Sequence, residues 1–303
     1  MRNPIRAGLL GLAAVCLVAP PAPLAAQELP PGPSFPIQST FEASAPSGAY
    51  ELVQLVLDFP PGAWTPSHSH GGQVFVTVLG GTISLRGAAG ERTYTTGDTW
   101  TERPGEHHAA GNATGENVRV LVTSLLPKGV ALTTADETGA TSDLPPGPTL
   151  VYQTRTDGLA AGGPLDVVQL VGDFAPGAWT PPHEHGGRGV VTVLEGQIAV
   201  KDAAGERRFG PGESWVEGQG EVAAVGNPAD DPGHLAASFA LPKGAALTTV
   251  RDASAQMPAA LPQTGAGGSQ APLVPALLFV AVAALALVGL GVSARAGRLT
   301  PGH

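Results

Sequence analysis

The sequence predicts an all-β protein built from two tandem sandwich or barrel domains. Three observations carry this prediction: a repeat at constant offset, many short apolar runs between turns, and no amphipathic helical stretch. Pro61-Gly62-Ala63-Trp64-Thr65-Pro66-Ser67-His68-Ser69-His70-Gly71-Gly72 returns 115 positions later as Pro176-Gly177-Ala178-Trp179-Thr180-Pro181-Pro182-His183-Glu184-His185-Gly186-Gly187. Gln54-Leu55-Val56 returns as Gln169-Leu170-Val171, and the four tryptophans pair as Trp64/Trp179 and Trp100/Trp215 at the same offset. The 42 glycines and 30 prolines among 303 residues favour short strands and many turns over long helices.

Each copy reads as strands. Glu51 to Phe59 has apolar positions on both faces, Gln73 to Leu79 is a continuous apolar run of strand length, and Thr82 to Arg86 alternates. Ala88-Ala89-Gly90 makes a turn, a short strand follows at Thr93 to Thr95, and Val118 to Leu125 is a further strand. The repeat boundaries divide the folded part into 27–138 and 139–252.

The two ends read differently. Arg2 and Arg6 precede the apolar run Ala7 to Val18, with small residues for cleavage near Ala25 or Ala26, the pattern of a secretory signal peptide over 1–26. Residues 253–270, rich in Ala, Gly, Pro and Gln, form a spacer, and 271–292 contain the apolar stretch Leu273 to Val292, long enough for a transmembrane helix. Arg295 and Arg298 in the tail 293–303 place that end in the cytoplasm and the repeats outside. Cys16, the only cysteine, lies in the first apolar run, so the folded part has neither disulfide nor thiolate chemistry.

Leu261-Pro262-Gln263-Thr264-Gly265, followed by the apolar stretch and the arginines, resembles the LPxTG cell-wall sorting signal. The resemblance implies cleavage by a sortase between Thr264 and Gly265 and attachment of Thr264 to peptidoglycan; without it, the same segment is a linker to a plain membrane anchor. Either way the repeats are extracellular. Twelve basic residues remain in the folded part against all 25 acidic ones, a balance of −13 that argues against a nucleic-acid partner.

His68 and His70, two apart on a strand, point to the same side and can grip one metal ion. Gly62, His68, His70 and Gly81, with Gly97, Gly105, His108 and Asn112, resemble the two motifs of the cupin superfamily. The second copy matches at Gly177, His183, His185, Gly196, Gly212, Gly220 and Asn227. The resemblance implies two antiparallel jelly-roll barrels and, in the first, a divalent transition metal held by His68, His70 and His108. Three imidazoles suit Fe, Mn, Cu, Ni or Zn without choosing among them. The motif's usual glutamate is absent: its place is Val74 in one copy and Gly189 in the other. Gln73, one position earlier, is the nearest polar replacement and a candidate for orienting ligand or substrate; its counterpart is Arg188.

In the second copy Ala223 takes the place of the third histidine, Glu184 points away from His183 and His185, and Arg188 brings a positive charge near them, so this site is expected to be degenerate. His107, Glu102 and Glu217 are expected at the solvated surface, His234 and His303 are expected to be incidental, and Trp64 and Trp179 are expected in core or rim. Two readings of function follow. One is a dioxygenase-type oxidoreductase acting on a small chelating substrate. The other is a non-catalytic surface module that binds a small molecule or carbohydrate.

Overall fold

The computed structural model describes residues 32–136, 147–159 and 162–252. The signal segment, the sorting motif Leu261–Gly265, the apolar stretch and the tail lie outside the described residues. Among the described residues no helix is long and apolar enough to cross a membrane.

The first half runs β1 (Ser34–Ser44), β2 (Tyr50–Phe59), β3 (His68–His70), β4 (Gln73–Gly80), β5 (Thr82–Gly87), β6 (Gly90–Thr95), β7 (Thr99–Glu102), β8 (His108–Gly111), β9 (Val118–Pro127) and β10 (Thr133–Ala135). The second repeats it as β11 (Thr149–Thr156), β12 (Pro164–Phe174), β13 (His183–His185), β14 (Arg188–Glu195), β15 (Ile198–Asp202), β16 (Gly205–Phe209), β17 (Ser214–Glu217), β18 (Ala224–Gly226), β19 (Gly233–Pro242) and β20 (Thr248–Val250). The larger sheet of the first barrel has the order β11-β2-β9-β4-β7 and faces β10-β3-β8-β5-β6. In the second barrel β1-β12-β19-β14-β17 faces the smaller sheets β13-β20 and β16-β15-β18. The ladders between these strands are antiparallel, as a jelly roll requires.

The larger sheets contain an exchange. β1 and β11 occupy equivalent repeat positions, yet β1 pairs with β12 of the second half and β11 with β2 of the first. The boundary at 138/139 therefore separates two sequence repeats but not two sheets. Each half lends its opening strand to the other.

The large sheets also pack against one another, which explains why β2 is apolar on both faces. One face lines its own barrel and the other meets the second half, where Phe41, Tyr50, Leu52, Phe75 and Leu125 bury against Leu165, Val167, Val190 and Ala240. Along the contact lies a polar network repeated by pseudo-twofold symmetry. Thr192 Oγ1 donates to Gln54 Oε1 at 2.7 Å, and Gln54 Nε2 donates to Ser238 Oγ at 2.9 Å. In the mirror set Thr77 Oγ1 donates to Gln169 Oε1 at 2.6 Å, and Gln169 Nε2 donates to Thr123 Oγ1 at 2.7 Å. Thr123 and Ser238 join the two sets at 2.7 Å. Such groups are tolerated in a dry contact because they satisfy one another.

The motif glycines are backbone devices. Gly62 and Gly177 stand at φ 76° and 73°, in the left-handed region that a side chain would strain. Gly111 has a different reason: a Cβ there would lie 1.9 Å from Trp64 Cδ2, so the indole lies flat on the backbone of β8. The guanidinium of Arg86 covers the other face of that ring, 3.7 Å from its centroid. Trp64 is half-buried on the face of β8 opposite His108 and Ala110.

Candidate metal centre

β3 and β8 bring the histidines together. His68 pairs directly with His108 across the ladder, and His70 lies two residues on, so all three side chains enter the barrel from one sheet. Their ring centroids are 4.4 to 5.3 Å apart, and one ligand nitrogen from each lies within 4.8 Å of the others. They sit in a cavity of about 310 Å³ walled by Leu55, Leu57, Phe59, Val120 and Val122.

Backbone carbonyls hold each imidazole from behind. His68 Nδ1 donates to Pro66 O at 2.8 Å, His70 Nδ1 to Leu132 O at 3.0 Å, and His108 Nδ1 to Glu106 O at 3.1 Å. With a proton on each Nδ1, Nε2 is the remaining ring nitrogen, a lone pair for a metal or, when protonated, a donor to a neighbouring carboxylate.

Glu102 corrects the sequence expectation. It is not solvated: it is 5% exposed, with its carboxylate among the histidines. Oε2 lies 3.1 Å from His70 Nε2, Oε1 lies 3.2 Å from His108 Nε2, and Trp100 Nε1 donates to Oε1 at 2.8 Å. Glu102 stands opposite Val74 in the β4–β7 ladder, so it delivers a carboxylate beside the position where the cupin motif usually has its glutamate. Donor atoms roughly 3 Å apart are what a metal with bonds of about 2.1 Å asks of neighbouring ligands. Lone pairs of imidazoles and a carboxylate crowd together only if a cation lies among them, either a metal or shared protons. The donor set fits a divalent transition metal.

The electrostatics follow from this crowding. Burial pushes the Glu102 carboxyl up, but hydrogen bonds from His108 and His70 outweigh it and hold the group well below the usual carboxylate range. Burial lowers His68, with His108 and His70 adding to the effect. Burial would also lower His108, but the Glu102 carboxylate raises it overall.

Gln73 is not part of this site. On β4 it has the opposite parity to Val74, and it lines a shallow outer cleft with Glu42, Ser44 and Lys243. Arg188 likewise turns away from the second histidine pair, its Nε donating to Thr156 Oγ1 at 2.9 Å. Glu184 faces outward as expected, paired with Arg251. His107 meets Asp136 at 2.7 Å on the surface, and His234 meets Asp173 at 2.8 Å where the first half has Arg119 with Asp58. Asn112 is structural: its Nδ2 donates to Phe59 O and Glu116 O, pinning the loop before β9.

In the second barrel His183 Nδ1 donates to Pro181 O at 2.9 Å and His185 Nδ1 to Leu247 O at 2.7 Å. Glu217 repeats Glu102, with Oε2 at 2.9 Å from His185 Nε2 and Oε1 accepting from Trp215 Nε1 at 2.9 Å. It too is buried rather than solvated. Ala223 supplies no third imidazole, and Phe239 packs on His185 with centroids 4.3 Å apart. Phe239 has room because its neighbour is Gly189, where a Cβ would lie 2.2 Å from Phe239 Cδ1. The first half has Ser124 beside Val74 at these positions.

No curated protein sequence matches the chain. Among solved structures, the oxalate decarboxylase of Lactobacillus farciminis in its formate complex is similar over 73% of this chain and 90% of its own, at 12% identity and a TM-score of 0.46. A variant oxalate decarboxylase of Bacillus subtilis is similar over 74% and 81%, at 14% identity and a TM-score of 0.46. A variant salicylate 1,2-dioxygenase of Pseudoaminobacter salicylatoxidans is similar over 62% and 70%, at 13% identity and a TM-score of 0.39. Residues 55–124 match the family model described as Cupin domain, a stretch that contains His68, His70, Glu102 and His108.

Proposed function

We propose that the first barrel holds a divalent first-row transition metal through His68, His70 and His108, with Glu102 as a fourth donor, and oxidises a small chelating substrate with O₂. The observation that carries this reading is the set of three Nδ1–carbonyl hydrogen bonds on histidines whose ligand nitrogens lie within 4.8 Å of one another. The ion would supply a Lewis-acidic, redox-capable centre with open positions for substrate and oxygen. Glu102 offsets its charge, and the Trp100 N–H fixes the carboxylate's orientation. The apolar wall excludes water and favours a compact ligand that enters past Leu132, Pro148 and Leu150.

One observation supports the second reading, a non-catalytic surface module. The Glu102 contacts to His70 and His108 have hydrogen-bond length, so shared protons can take the place of a metal. Oxygen consumption by the metal-loaded protein, offered small bidentate oxygen ligands such as 2-hydroxy acids and vicinal diols, separates the two. Consumption that disappears in His68→Ala supports the enzyme. A metal-loaded protein that consumes no oxygen with any of them supports the binding module.

The terminal segments extend the proposal to location. A signal segment, the Leu261–Gly265 motif, an apolar stretch and an arginine tail in that order support export and sortase-mediated linkage of Thr264 to peptidoglycan. Mass analysis of peptides released by wall digestion tests this: a peptide ending at Thr264 with attached wall fragments supports it, and one continuing through Gly265 contradicts it.

A further inference from the structure

We infer that the second barrel is a metal-free binding site for a neutral aromatic alcohol, a phenol. Its cavity measures about 500 Å³, larger than that of the first barrel and within the range of small-molecule sites. One repeat position in the wall contributes to the difference: Ala237 replaces Val122. Gly172, where the first half has Leu57, admits Phe35 from the exchanged strand β1; a Cβ on it would lie 3.1 Å from that ring.

The wall specifies the ligand's body. Phe35, Phe174, Trp179, Trp215 and Phe239 all line the cavity, and aromatic walls reward an aromatic occupant through edge and offset contacts. His183, His185 and Glu217 form one polar cluster, and apart from Gln38, Thr180 and Thr248 the rest of the lining is apolar. A sugar or polyol would leave most of its hydroxyls against hydrocarbon without partners.

Hydrogen bonding specifies the head group. Glu217 and His185 are committed to each other, and His185 Nδ1 to Leu247 O. His183 donates its Nδ1 proton to Pro181 O, which leaves Nε2 as an acceptor on a residue 8% exposed, lining the cavity. The site therefore calls for one donor. No Lys or Arg is among the described residues that line it, so the wall offers a carboxylate ligand no permanently charged partner.

Titration of the purified full chain with 1-naphthol, naphthalene and 1-naphthoate, followed by calorimetry and by tryptophan fluorescence, tests the assignment. The expected result is one 1-naphthol per chain, naphthalene bound about tenfold more weakly for want of the hydroxyl, and no binding of 1-naphthoate. His183→Ala should reduce 1-naphthol to the affinity of naphthalene, and Ala237→Phe, which fills the cavity, should abolish binding. Equal affinity for 1-naphthol and naphthalene on the unaltered chain, no binding of either, or affinity unchanged by Ala237→Phe would overturn the proposal. The first comparison needs no variant, so a variant that fails to fold leaves the test intact. His183 and Ala237 both line the second cavity and neither lines the first, so the effects of His183→Ala and Ala237→Phe report on the second barrel whatever the first one holds.

Discussion

Glu102 and Val74 face each other across the β4–β7 ladder, and Glu217 and Gly189 do the same across β14–β17. Side chains at paired positions emerge on the same face of a sheet. A carboxylate lost from one strand can therefore be supplied by the strand beside it with little change in where its oxygens arrive. The Trp100 and Trp215 indoles, each two residues before its glutamate, aim those oxygens.

Glu102→Gln keeps the shape but loses the charge and places an NH₂ where two imidazoles meet. Metal affinity, measured by competition with a chelator of known strength, should fall by about 10- to 100-fold or more. Trp100→Phe, which removes only the donor that orients Glu102, should produce a smaller loss in the same direction.

Position 189 should tolerate valine only with a compensating change. Gly189→Val alone drives its side chain into Phe239 and should destabilise the protein by about 3 kcal/mol. Gly189→Val combined with Phe239→Ser recreates the Val74–Ser124 pair of the first half and should recover part of that loss. Denaturant midpoints of Gly189→Val, Phe239→Ser and the double variant check this coupling.

Much of the architecture was legible in the sequence. The constant offset of the repeat predicted two similar barrels, and His-x-His with His108 identified the three residues that the structure brings together. Glu102 was not legible as a ligand because its role depends on strand register, and no spacing along the chain states that Val74 and Glu102 are partners. A usable signal was present nonetheless: Trp-x-Glu occurs in both copies, and alternation sends a glutamate to the same side as a tryptophan two residues before it. Gln73 and Arg188 misled for the complementary reason. Each is adjacent in sequence to the missing glutamate, and on a strand adjacency means the opposite face. The exchange of β1 and β11 leaves no local trace, since equivalent strands have equivalent patterns whichever barrel they join.

The inter-barrel network should couple the two halves. Gln54→Ala leaves the Thr192 and Ser238 hydroxyls short of partners in a dry contact and should cost about 2 to 4 kcal/mol. Gln169→Ala should cost a similar amount through Thr77 and Thr123. Because Thr123 bonds Ser238, the double variant should depart from additivity in a denaturation cycle.

Glu217 predicts an acid-dependent stability. Burial pushes its carboxyl up, but hydrogen bonds and charge from His185 outweigh this and hold it below the ordinary value of 4.5. A depressed folded-state pKa means stability that is fully present above 4.5 and lost as pH falls through the folded value. Glu217→Gln should be less stable than the parent at pH 7, by about 2 kcal/mol, and the gap should narrow as the pH drops below about 4.5. Melting temperatures across that range check the slope.

Elemental analysis of the purified chain beside His108→Ala and His183→Ala tests whether one half of the molecule binds metal and the other does not. Close to one equivalent of a first-row transition metal is expected in the parent and in His183→Ala, and a large loss in His108→Ala. Metal absent from the parent, or retained by His108→Ala and lost from His183→Ala, would contradict that expectation.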